Sequence, residues 1–183
     1  MEEISMLINS KKAEESAILN LAYSVCAAAR TAPKACGVDY IETAILTGED
    51  KDRVAGEMRK IGESMGKSGE FFCRDADNLD ESGAVVLIGA KYEVRRLGKM
   101  CKLCGFDGCT ASKEAGAACV FTAIDLGIAL GSAVSLVADN RIDNRIMFTI
   151  GQAAAKLGIL GEYKMIMGIP LSASGKSVYF DRD

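Results

Sequence analysis

The chain has 183 residues, 49% of them hydrophobic and 26% charged, the balance of a globular protein rather than a disordered one and a length that one domain, 1–183, can account for. Its formal net charge of -3 offers no global attraction to nucleic acid, and no basic stripe interleaved with aromatics offers a local one. The absence of any histidine excludes histidine triads and histidine acid–base chemistry.

Taken in order, Met1-Glu-Glu-Ile carries acid where a signal peptide needs base, and no apolar run reads as the roughly 18 residues of a membrane span, so the expected compartment is the cytoplasm, with no membrane partner. Glu14 to Arg30 places Ala17, Ile18, Leu21, Ala22, Val25 and Ala29 at helical spacing, and Pro33 marks its end. Val38 to Leu46 predicts a strand, and Asp50 to Met65 a helix with Val54, Met58 and Ile61 inward and its charges in solvent. Gly69 to Asp77, with Phe71, Phe72 and Cys73, reads as a short edge strand. Ala84-Val-Val-Leu-Ile88 is a continuous apolar run of the kind that sits centrally in a sheet. Ala90 to Met100 is a basic linker whose Lys91, Arg95, Arg96 and Lys99 either screen a negative group or face solvent.

Beyond it Cys101-Lys-Leu-Cys104-Gly-Phe-Asp-Gly-Cys109 is followed, after nine further residues, by Cys119. Four of seven cysteines within nineteen positions is the density at which thiolates hold soft metal, because disulfides do not persist in reducing cytosol. A tight triplet with a more distant fourth suits an iron–sulfur cluster, and Gly105 and Gly108 let the backbone wrap a bulky inorganic core. Structural zinc would more typically show two matched knuckles or a histidine pair, so zinc is the alternative, and packed thiols a further one. Cys101, Cys104, Cys109 and Cys119 are therefore the expected metal ligands, with Cys36 next in line for the fourth position.

Val120 to Ala138 is a helix apolar on nearly every face, with Gly127 and Gly131 four apart, and belongs in a protein interior or a subunit interface. Asp139 to Arg145 is a polar island whose Arg141 and Arg145 either grip an anion or belong to a capped loop. Ile146 to Leu157 is a helix, Tyr163 to Ile169 a last strand, and Pro170 to Asp183 a polar tail anchored by Val178-Tyr-Phe180. Strands alternating with helices give an α/β (α+β) class, a central sheet flanked by helices, with 98–121 as an inserted cluster segment. The nearly all-apolar helix points to a homodimer.

The cysteine stretch resembles the four-iron four-sulfur segment of corrinoid iron–sulfur proteins and electron-transport subunits. Ala123-Ile-Asp-Leu-Gly-Ile-Ala-Leu-Gly-Ser132 and Asp143-Asn-Arg-Ile-Met147 are similar to the ferredoxin-domain-containing proteins known as domain of unknown function 2148, a resemblance spanning nearly the whole chain. Ala29-Arg-Thr-Ala-Pro33 and Gly168-Ile-Pro-Leu171 resemble the nitroreductase fold, a homodimeric fold that binds flavin mononucleotide (FMN). The polar residues that follow Ala-Pro there are replaced here by Lys34, Ala35, Cys36 and Gly37.

These resemblances imply a four-iron four-sulfur (4Fe-4S) protein of electron transfer acting with a redox partner protein. The alternatives are an FMN-dependent oxidoreductase and a structural zinc module. A flavin phosphate would require cationic donors, for which Arg30, Lys34 and Arg145 stand as the candidates, provided that the Ala-Pro corner packs beside the start of the Ile146 helix.

Overall fold

The computed structural model describes residues 7–180. Helix α1, Ser10–Thr31, is capped by the Asn9 side chain, which accepts from the Lys12 N–H at 2.9 Å and satisfies one of the unpaired donors of the first turn. It buries Ile18, Leu21, Ala22, Val25 and Ala29, the stripe legible in its sequence. The sheet comprises β1 (Ile41–Leu46), β2 (Ala84–Ala90), β3 (Asp143–Asn144) and β4 (Met165–Ser172), in the order β1-β2-β4-β3 with every pair antiparallel. Ile41 lies opposite Ala90, and Ala90 opposite Met165, so β2 is hydrogen-bonded along both edges.

Helices α2 (Gly48–Met65), α3 (Glu70–Asp80), α4 (Cys109–Glu114), α5 (Val120–Asp139) and α6 (Phe148–Lys156) complete the chain. Alternation along β2 divides its side chains between two cores. Ala84, Val86, Ile88 and Ala90 pack with α1 and α5, whereas Val85 and Leu87 pack with α2, α3 and α6. All seven β2 residues are therefore buried, which is why an antiparallel strand reads as an unbroken apolar run. Full burial of each Val, Leu or Ile contributes roughly 1.5–3 kcal/mol before entropy is counted.

Helix α6 lies hard against β4. A Cβ on Gly151 would sit 1.7 Å from the Ile166 carbonyl oxygen, and one on Gly168 would sit 2.3 Å from Ile150 Cγ2. Glycine at 151 lets the helix backbone meet the β4 backbone, and glycine at 168 makes room for the Ile150 side chain. Two-way bonds between Met147 and Gly168, at 2.8 and 3.0 Å, fix the approach to α6.

Three segments depart from the sequence reading. Gly69 to Asp77 is not an edge strand: Glu70–Asp80 is α3, with Phe72, Ala76 and Leu79 buried at helical spacing. The β-forming aromatics misled because packing against α2 outweighs local preference. The last strand runs on to Ser172 and includes Pro170, which lies opposite Val85. Helix α5 is long and apolar enough by length and composition to cross a bilayer. Here it lies against α1 and the sheet, with Leu126, Ala129, Leu130, Ala133 and Val137 in the core.

The C-terminal anchor is Tyr179, 1% exposed, whose hydroxyl is 2.8 Å from Ser82 Oγ. Burial pushes its phenol well above the ordinary value.

Candidate metal centre

The cysteine segment is attached to the fold through one face of α5. Cys119 is the N-cap residue of that helix and is buried. Thr122 Oγ1 donates to the Lys91 carbonyl at 3.2 Å. Asp125 Oδ2 accepts from Arg95 Nη2 at 2.5 Å, both side chains being 1% exposed. Positions 119, 122 and 125 recur every three residues and so share a helix face. That face holds both the entry to the cysteine loop and its last cysteine.

The Asp125 carboxylate serves a second segment as well, since Oδ1 accepts the Ala35 N–H at 2.9 Å. Ala35 opens the turn Ala35–Gly37, where Cys36 is exposed in a left-handed conformation, φ 58°. Arg95 also donates to the Glu93 carbonyl at 2.9 Å and lies over the Tyr40 ring, 4.7 Å from its centroid. One buried ion pair thus joins α5, the corner after α1 and the loop entry.

Past Arg95 the chain is irregular. Gly98–Met100 forms a single 3-10 turn, Gly105 and Gly108 adopt φ 83° and 90°, and Cys109 opens α4. A Cβ on Gly108 would lie 3.1 Å from the Gly98 oxygen and 3.1 Å from Lys99 Cα, so the loop folds back on its own entry. Cys101, Cys104 and Cys109 are half-buried there. The Phe106 N–H lowers the Cys104 pKa below the ordinary thiol value, and Ser112 assists. Ser112 is buried and its hydroxyl makes no hydrogen bond of ordinary geometry, so the neighbouring sulfur is the acceptor that its position suits.

A cleft of 580 Å³ opens beside Cys109, lined by Val94, Arg96, Gly98, Thr110, Lys113 and Glu114. Among the described residues, no three Cys, Asp or Glu side chains stand together at distances that would hold one ion. Cys101, Cys104, Cys109 and Cys119 are therefore carried by one segment without being drawn into a ligand set. The donor chemistry still suits an iron–sulfur cluster. Four thiols lie in a short span, an N–H and a hydroxyl face one sulfur, and glycines permit the loop to close.

The three cations considered for a flavin phosphate do not converge within the chain. Arg30 is held by Asp39 and Glu42, each at 2.8 Å, and donates to the Ile41 carbonyl at 2.6 Å. Lys34 Nζ donates to the carbonyls of Arg30 and Ala32. Arg145 follows β3 on the opposite sheet edge, 5.7 Å from the Phe180 ring centroid. The corner after α1 cannot pack beside the start of α6, because α1 and α6 cover opposite faces of the sheet.

The sequence does not single out Thr122, Asp125 or Ser112 as site residues, and it reads Arg95 as a screening or solvent-facing cation, whereas Arg95 is buried against Asp125. Asp125 was detectable in principle, being the one charge among the apolar residues 120–138, where an isolated carboxylate must find a partner.

The family described as uncharacterized protein containing a ferredoxin domain, domain of unknown function 2148, matches residues 115–182. A protein of Archaeoglobus fulgidus, described only as uncharacterized, is 44% identical over 185 residues, covering 97% of this chain and 98% of its own. The chain belongs to this ferredoxin-domain family.

Solved structures similar to this family member have the nitroreductase fold. An FMN-bound nitroreductase of Desulfitobacterium hafniense superposes with TM-score 0.57 at 10% identity, over 93% of this chain and 81% of that one. A BluB-like flavoprotein of Clostridium difficile gives 0.53 at 17% identity, over 96% and 89%. Nitroreductase A of Vibrio parahaemolyticus gives 0.55 at 10% identity, over 94% of this chain but 61% of its own length. At these identities the likeness is one of fold.

Replacing Asp125 by Ala would leave the Arg95 guanidinium buried without its counter-charge and the Ala35 N–H without its acceptor. The expected loss of folding stability is about 3–5 kcal/mol, read as a lower urea midpoint. A loss below about 1 kcal/mol would mean that the pair does not hold the three segments together.

Proposed function

We propose that this protein binds a four-iron four-sulfur cluster through Cys101, Cys104 and Cys109, with Cys119 as fourth ligand, and that it carries electrons to or from a partner protein in the cytoplasm. The observation that carries the reading is the cysteine segment itself: three half-buried thiols on a glycine-rich loop, clamped through Thr122 and Asp125 to the helix that Cys119 caps. The family description, with its ferredoxin domain, supports iron–sulfur chemistry in general, its match over residues 115–182 including Cys119 alone of the four cysteines.

Bound there, a cluster would supply one-electron redox chemistry. The chain's part is to hold and shield. The Phe106 N–H and the Ser112 hydroxyl favour the anionic form of Cys104. Cys119, buried at the α5 N-cap, offers a sulfur fixed to the core while the other three ride on a loop that can close.

Anaerobic purification followed by iron and acid-labile sulfide analysis tests this. About four of each per chain is expected, falling sharply in Cys104→Ala. Zinc without sulfide would replace the reading by the structural zinc module. Full retention in Cys119→Ala, with loss in Cys36→Ala, would move the fourth ligand to the corner after α1.

The same reading includes a homodimer. Ile124 and Ile128, 43% and 41% exposed, continue with exposed Gly127 and Gly131 along the outward side of α5, and Leu19 and Tyr23 are exposed on the neighbouring α1. Apolar surface of this kind is a subunit interface in wait of its second copy. A single-chain mass in sedimentation at micromolar concentration would remove that element.

A second reading, flavin binding, is favoured by the nitroreductase fold and by the FMN described in the Desulfitobacterium structure. It requires anion donors other than Arg30 and Lys34, which internal acceptors already engage. Titration of the protein with FMN would show saturable fluorescence quenching in the micromolar range if this reading holds. A flat titration would leave the fold as shared ancestry without shared cofactor.

A further inference from the structure

We infer that the face carrying the cysteine loop is a docking surface for an acidic protein, an inference that rests on the electron-transfer reading and names the chemistry of its partner. Residues 91–113 hold six Lys or Arg against two Asp or Glu, in a chain whose formal net charge is -3. Those six cations do not share one fate. Arg95 is buried against Asp125, Lys91 pairs with Glu162, and Lys102 pairs with Asp107 at 2.7 Å. Arg96, Lys99 and Lys113 are exposed and enter no ion pair among the described residues.

The backbone enforces the division between the adjacent arginines. Arg95 is drawn inward by Asp125, and Arg96 follows in a left-handed conformation, φ 56°, with its side chain at the open cleft that it shares with Lys113. A non-glycine residue held there stores a small strain, which the fixed Arg95 sustains.

Two apolar side chains stand among these charges. Met100 is 83% and Leu103 68% exposed, and they flank Cys101 and Cys104 in sequence. Large apolar groups held this far into water, with Lys99 and Lys102 beside them in sequence, match the make-up of a protein interface with an apolar centre and a charged rim. The rim selects the sign of the partner and steers its approach, while the apolar centre supplies contact once water is expelled. The cleft of 580 Å³ is lined by two cations, Arg96 and Lys113, against one acid, Glu114, and has room for an acidic side chain. Nucleic acid is disfavoured because the formal net charge of -3 repels a polyanion beyond this patch, and Tyr92 is the one exposed aromatic of residues 91–113.

The test uses a small, strongly acidic two-iron ferredoxin, fluorescently labelled, as the probe. Its anisotropy is followed on titration with the full chain, both as purified anaerobically and after removal of iron by a chelator. Saturable binding is expected, weakening at least about tenfold when salt is raised from roughly 50 to 300 mM and by a similar factor in the triple variant Arg96→Glu, Lys99→Glu, Lys113→Glu. Leu103→Ser should weaken binding while leaving its salt dependence unchanged.

Absence of saturable binding at low salt overturns the inference, as does an affinity indifferent to the triple variant. Displacement of the probe by a single-stranded oligonucleotide at lower concentration than by unlabelled ferredoxin overturns it in favour of nucleic acid. Cations that serve only to screen a cluster would shift its potential in the triple variant and leave probe binding unaltered, which also overturns it. Iron and sulfide assays on the same samples separate the two readings. A protein that holds no cluster yet binds the probe keeps the docking surface and loses the electron-transfer role, whereas a loaded protein that ignores the probe does the reverse.

Discussion

The interaction on which the site depends is the buried pair between Arg95 and Asp125. A carboxyl group buried on a largely apolar helix needs polar partners, since leaving it desolvated and unpaired would cost several kcal/mol. Here it receives the Arg95 guanidinium on one oxygen and the Ala35 N–H on the other. The compensation has a structural by-product: three segments far apart in sequence are tied at one point. Replacing a buried pair by apolar groups of similar volume is often neutral or stabilising, so what the pair contributes is the registry it imposes on the loop entry rather than net stability.

That registry acts within a frame set by the sheet. Because β2 is covered on both faces, every helix must commit to one side, and the commitment decides which residues can meet. Helices α1 and α5 share a face, so Ala35, Arg95, Asp125 and Cys119 can belong to one neighbourhood. Helix α6 takes the other, so the cations after α1 and the arginine before α6 are separated by the thickness of the sheet and by its width from β1 to β3. The close approach of Gly151 to Ile166 fixes α6 in place and leaves it no freedom to reach round.

Much of this was legible in the sequence. The stripes of α1 and α2, the continuous run of β2 and the apolar length of α5 each follow from a periodicity that burial imposes, and the class follows from their alternation. Residues 70–80 were misread because Phe71, Phe72 and Cys73 favour a strand locally, while the spacing of Phe72, Ala76 and Leu79 takes its meaning from α2 packed alongside. The cysteines were visible as a donor set because their chemistry is local. Arg95 and Asp125 were not visible as partners, because a pairing thirty residues apart leaves no mark on either segment.

The contrast within the cysteine set has a physical reading of its own. Cys119 is fixed by the helix it caps and by the core around it, whereas Cys101, Cys104 and Cys109 lie on a stretch whose glycines adopt left-handed conformations and whose backbone has few regular hydrogen bonds. Ordering such a stretch costs conformational entropy of roughly 1–2 kcal/mol per residue, and metal–thiolate bonds are strong enough to offset it. Under the cluster reading, the loop is closed by what it binds rather than before it binds, while the Arg95–Asp125 pair keeps its entry aligned with Cys119 in either state. With one sulfur fixed to the scaffold and three on the loop, cofactor binding and loop ordering would under that reading be a single event.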